Sequence, residues 1–122
     1  MKVLEYIEKV NNSNKLGITS ENSFRGDLQN LLETLLPNLS VSNEPMSIEY
    51  GIPNYVISEE GLPIAYIKTT DIGTNLNELD GYEDVRRYKA SLRNLITTNY
   101  LDFRWYKDGE LITSFSIVDL KN

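Results

Sequence analysis

The feature that most constrains this chain is a change of period at Pro37. Before it, Phe24, Leu28, Leu31, Leu32, Leu35 and Leu36 recur at helical spacing. That spacing lays one wide apolar stripe along a helix. Thr19 or Ser20 can cap this helix, and Glu21 sits favourably in its first turn. Pro37 cannot continue it. After Pro37 the apolar residues fall into short runs with the period of strands. A chain of this kind must bury a helix stripe and a sheet face together, so helices pack on a sheet.

The remaining elements follow from the same signals. Val3, Leu4, Ile7 and Val10 predict a short helix over 2–11. Leu39 and Val41 read as a strand, and residues 47–50 as a second short one. Tyr55–Ser58 and Leu62–Thr69 are apolar runs joined by Glu59-Glu60-Gly61, a hairpin signal. Leu76 and Leu79 predict a helical turn or two within 74–81. Glu83–Asn94 reads as a helix with Val85, Tyr88 and Leu92 on one side. Leu95–Asn99, Leu101–Lys107 and Glu110–Val118 are strand-like, the last two joined by the turn Asp108-Gly109. The tyrosines and Trp105 read mainly as core and sheet residues. The order predicts a single domain over 1–122, of class α/β or α+β, around one mixed sheet.

Composition narrows the chemistry. The 122 residues contain no Cys and no His. Disulfides, Cys or His zinc sites, a thiol nucleophile and a Ser-His-Asp triad are therefore excluded. What remains is chemistry run by carboxylates, Lys, Tyr and Mg²⁺. No apolar stretch has the length of a membrane span, and the N-terminus has no signal-peptide pattern, so a soluble cytoplasmic protein is expected. The net charge of −6 is unevenly spread. From Gly26 to Val85 the chain holds eleven acids and one base, Lys68, for a net −10. Arg86, Arg87, Lys89 and Arg93 follow immediately, along the helix 83–94.

One region is chemically suggestive. Gly51-Ile52-Pro53-Asn54-Tyr55 opens a strand, and its hairpin partner ends Ala65-Tyr66-Ile67-Lys68-Thr69-Thr70-Asp71. Alternation puts Lys68 and Thr70 on one face of that strand. The segments ENSFRGDLQNLLETLLP, SVSNEP, GIPNYVIS, LPIAYIKTTDIG, VRRY and NYLDFRWYKDGE occur in order from Glu21 to Ser116. This series resembles the N-terminal PD-(D/E)XK nuclease domain of large single-chain restriction-modification enzymes. In that family the nuclease precedes a methyltransferase and a target-recognition domain. The resemblance implies a restriction-endonuclease-like core, a mixed β-sheet flanked by helices. It also implies a site in which an Asp on one strand and a Glu on the next hold Mg²⁺, with a Lys two residues further on orienting water.

The site residues the resemblance implies depart from the family's pattern. Asn54 stands for the Asp, Lys68 for the Glu, Thr70 for the Lys, and Asp84 for a Gln common before the family's RY pair. Glu21 alone of the usual acidic set survives. Lys68 puts a cation where a divalent cation belongs, and like charges a few Å apart repel strongly in a partly desolvated site. Thr70 cannot organise hydroxide as an ammonium does. The expectation is a catalytically inactive nuclease-like protein with no metal and no cofactor, in which Lys68 pairs with Glu21 or Asp71.

Such a domain acts by binding. The first expectation is a protein partner: inhibition of a basic bacterial defence nuclease, of the anti-restriction or anti-CRISPR type, by a small acidic phage or mobile-element protein. Glu59, Glu60, Glu78 and Asp80 are the acids assigned to that surface. The alternative is a non-catalytic DNA-binding or assembly subunit of a restriction-modification system, with Arg86 and Arg87 on phosphates. An active Mg²⁺-dependent endonuclease is the third reading. A homodimer through the terminal strands or the first helix is also compatible with the sequence.

Overall fold

A computed structural model describes residues 3–15, 21–43, 55–72 and 74–117; for 13–15, 21–25 and 43 it describes the backbone alone. Two helices come first, α1 (Val3–Lys15) and α2 (Glu21–Leu35). In α1 the buried stripe is Tyr6, Ile7 and Val10, while Leu4 is 64% exposed. The expected stripe included Leu4; the helix is instead rotated to bring Tyr6 inward. The reason is polar as well as apolar: the Tyr6 hydroxyl donates to the Tyr100 carbonyl at 2.7 Å. In α2, Leu28 and Leu31 are buried and Leu32 is half-buried, as its stripe predicts, but Leu35 is 53% exposed near the helix end.

Six strands follow: β1 (Ser40–Asn43), β2 (Tyr55–Glu59), β3 (Leu62–Thr69), β4 (Asn94–Thr98), β5 (Asp102–Lys107) and β6 (Glu110–Ser116). They form one sheet in sequence order. Every neighbouring pair is antiparallel except β3–β4, which is parallel. A parallel pair needs a crossover, and α3 (Leu76–Asp80) and α4 (Glu83–Ser91) supply it. The β2–β3 and β5–β6 hairpins turn on Glu60-Gly61 and Asp108-Gly109, all four at positive φ. That geometry matches the twist of the flanking strands. The strand expected at 47–50 and the cap at Thr19 or Ser20 lie outside the described residues.

The sheet is covered on both faces. On one, α1 and α2 bury Leu28 and Leu31 against Tyr55, Ile57, Ile67, Tyr100 and Ile117. On the other, α3 and α4 bury Leu76, Leu79, Val85 and Tyr88 against Leu95 and Tyr106. Strand alternation explains the division, since Ile67 and Ile96 point one way and Tyr66 and Leu95 the other. Each fully buried Leu or Val contributes about 1.5–3 kcal/mol. Asn75 caps α3 by accepting the Asn77 N–H at 2.8 Å. α4 ends at Ser91, three residues before the sequence-based boundary, with Leu92 extended. Asn94 must already be in β4, opposite Lys107, so the chain leaves the helix early. Trp105, expected in the core, is half-buried. Among the described residues, no helix is long and apolar enough to cross a membrane.

Candidate functional site

The parallel register between β3 and β4 builds a polar row across the sheet. Lys68 lies beside Thr97, and Thr97 lies opposite Arg104 of β5. All three are in step with Tyr66, Leu95 and Tyr106 two residues away, so they share the face covered by α3 and α4. The two helices bring an acid to each end of the row. Asp84, in the first turn of α4, places Oδ2 3.9 Å from Lys68 Nζ. Asp80, the last residue of α3, accepts from Arg104 Nη1 at 2.9 Å. The Tyr106 hydroxyl donates to the same carboxylate oxygen of Asp80.

These two ion pairs differ in kind. Lys68 and Asp84 are partly exposed and long-range, and such a pair contributes roughly 0–1 kcal/mol. Asp80 is buried and doubly hydrogen-bonded. Burial works against the Arg104 charge, but hydrogen bonds with Asp80 and Tyr106 outweigh it and hold the guanidinium above its ordinary pKa. Burial, reinforced by the bond to Asp80, pushes the Tyr106 phenol up to about 12. Between the two pairs, the Thr97 hydroxyl and Asp80 Oδ1 are buried with no hydrogen-bond partner among the described groups.

The structure therefore brings together Lys68 and Asp84 of the residues singled out in the sequence. Thr70 lies just past β3, half-buried, with its N–H donating to the Thr98 carbonyl at 3.0 Å. Asn54 and the Glu21 side chain lie outside the described residues. The expected Lys68–Asp71 pair is corrected: Asp84 takes that place. Asp71 is exposed beyond the strand end, whereas α4 carries Asp84 over the sheet face that holds Lys68. Among the described residues, no group of three or more His, Cys, Asp or Glu gathers as a metal site.

The acids assigned to a partner surface divide. Glu59, Glu60 and Glu78 are exposed. The Tyr82 hydroxyl donates to Glu78 at 3.3 Å, and the Glu78 carboxylate holds that phenol above its ordinary pKa. Asp80 is corrected: at 7% exposure it is an internal anchor and not a surface acid. Arg86 and Arg87 are exposed on α4, and Arg87 pairs with Glu83 at 3.6 Å. Arg104 went unnoticed in the sequence, and Tyr106 was read only among the core and sheet tyrosines. The available signal was alternation in FRWYK, which puts Arg104 on the same inward face as Tyr106 and so demands a buried acid.

A solved structure has a similar fold. In the cryo-EM structure of a DrdV–DNA complex, a similar fold gives a TM-score of 0.76 at 16% identity, covering 98% of this chain and 12% of that one. At that identity the likeness is one of fold: an α/β domain with a six-stranded mixed sheet flanked by helices. The chain thus spans a small part of the length of the protein it matches. No protein-family model matches the chain, and no curated protein matches it.

Proposed function

We propose that this chain is a PD-(D/E)XK-type nuclease domain that no longer cleaves, and that it works by binding DNA within a restriction-type assembly. The observation that carries the loss of cleavage is the Lys68–Asp84 pair at 3.9 Å. It places an ammonium at the strand position where the resemblance calls for a metal-binding carboxylate, and supplies that ammonium with its own counter-charge. The likeness in fold to a protein solved in complex with DNA supports a DNA partner. So does α4, where Arg86 is exposed and carries no ion pair among the described residues.

A second reading, inhibition of a basic defence nuclease, draws on the exposed Glu59, Glu60 and Glu78. A duplex mimic concentrates its acids on one face. Here Asp80 is buried, and Glu33 lies on α2, across the sheet from Glu78 and Glu83. The acidic stretch of the sequence is thus divided in space, which favours the DNA reading.

Plasmid cleavage and duplex binding, measured on the same preparation, test the proposal. The expected result is no cleavage with Mg²⁺ or Mn²⁺, together with salt-dependent duplex binding that weakens when Arg86 and Arg87 become Gln. Cleavage above a mock purification overturns the first half. Duplex binding that is absent, with tight capture of a basic nuclease instead, transfers the function to the second reading.

A further inference from the structure

A cleft of about 600 Å³ opens at the other end of the sheet from Lys68 and Thr70, between the start of β3, the end of α4 and the end of β5. That volume lies within the roughly 300–1,000 Å³ of small-ligand clefts. Its lining includes Arg93, Lys107, Tyr66, Trp105, Asn94 and Ile64, and among the described residues no acid lines it. In a chain of net charge −6 this is a local reversal of sign. The larger cleft beside α3, by contrast, carries both Asp102 and Arg104.

The backbones that carry the two cations are held close together. Asn94 is in register with Lys107, and the Asp108 N–H donates to the Arg93 carbonyl at 2.8 Å. Neither Arg93 nor Lys107 has an ion-pair partner among the described residues. With no acid among the lining residues, the two cations offer a bound anion favourable charge. The aromatic part of the cleft is braced. The Trp105 indole N–H donates to Asn94 Oδ1 at 3.1 Å, and Asn94 Nδ2 donates to the Ile64 carbonyl at 3.1 Å. One side chain thus ties the indole to the first residues of β3.

We infer that this cleft binds an unpaired nucleotide, its phosphates on Arg93 and Lys107 and its base stacked on Trp105. Cations beside aromatic faces are the recurrent chemistry of single-strand recognition. The site extends the DNA-binding reading to a surface separate from the former metal position. The same chemistry is offered by a single strand or by a free nucleotide.

Trp105 is the chain's one tryptophan, so its fluorescence reports on the cleft directly. The full chain is titrated with oligothymidylate of about ten nucleotides, within the ~4–16 covered by single-strand sites, and in parallel with free thymidine monophosphate and an abasic oligomer. Saturable quenching by the oligomer is expected. With two phosphates held, log affinity falls with log salt at a slope of about −1.4. Arg93→Gln with Lys107→Gln, both at exposed positions, brings that slope towards zero and weakens binding about tenfold; an unchanged thermal transition verifies the fold. Quenching by the mononucleotide as strong as by the oligomer identifies a free nucleotide as the ligand. No quenching, equal quenching by the abasic oligomer, or binding indifferent to the double substitution overturns the inference. Duplex binding through Arg86 and Arg87 without any Trp105 response overturns the cleft and leaves the proposed function standing. A Trp105 response without duplex binding does the reverse.

Discussion

At the scale of single residues, the decisive feature is which charges found partners and where. Arg104 and Asp80 form a buried pair completed by Tyr106. Removing the Asp80 carboxylate leaves Arg104 charged and half-buried without its counter-ion. Asp80→Asn is therefore expected to cost about 2–3 kcal/mol, below the 3–5 of a fully buried pair because Arg104 keeps some water contact. Asp80→Leu combined with Arg104→Met is expected to recover most of that loss, since a well-packed apolar pair is often neutral or better. Urea unfolding of the single and double variants decides it. A single variant as stable as the parent would show that the pair is not a structural anchor. Lys68 is the opposite case. Its partner is distant and partly exposed, so Lys68→Met should change stability by less than about 1 kcal/mol.

At the scale of elements, the β5–β6 hairpin turn packs against α4. It places Asp108 and Gly109 at φ 50° and 87°. A Cβ on Gly109 would also meet the Lys89 carbonyl of α4 at 3.3 Å. Gly109→Ala is thus strained in backbone and in space, and a loss of about 1–2 kcal/mol is expected. Gly61, at φ 83° with nothing near its Cβ position, should lose less. Thermal unfolding of the two variants checks the ordering, and equal losses would remove the part assigned to packing against α4. Much of this was legible in the sequence. Asp-Gly between two strand-like runs marks the turn, and its neighbours fix the register. The contact with α4 was not, because no local signal says which helix will pass over a turn. The early end of α4 was hidden for the same reason: its length is set by where Asn94 must meet Lys107.

At the scale of the whole molecule, the acidic stretch is redistributed by folding. Asp80 and Asp84 turn inward towards cations, while Glu33 and Glu78 go to opposite sides of the sheet. The buried phenols set the behaviour of the fold in alkali. Burial raises both Tyr6 and Tyr106, the latter to about 12. A folded pKa above the unfolded value stabilises fully below the unfolded value, and that stability is lost as pH rises through the folded one. Stability is therefore expected to fall between about pH 10, where free tyrosine ionises, and about 12. Tyr106→Phe should be less stable at pH 8, having lost the bond to Asp80, yet show a shallower decline across that window. Parallel slopes for variant and parent would locate the alkaline loss elsewhere.

The sequence by itself determined the element types, both tight turns and the class of fold, because period, proline and Asp-Gly act over a few residues. It also placed Lys68 in the strand where the resemblance puts metal chemistry. Tertiary structure alone decided that Lys68 meets Asp84, that Asp80 is an anchor, and that Arg93, Lys107 and Trp105 line one cleft. Those contacts join residues far apart in the chain. Their distances depend on sheet register and helix placement, and these are fixed by burying two apolar cores at once.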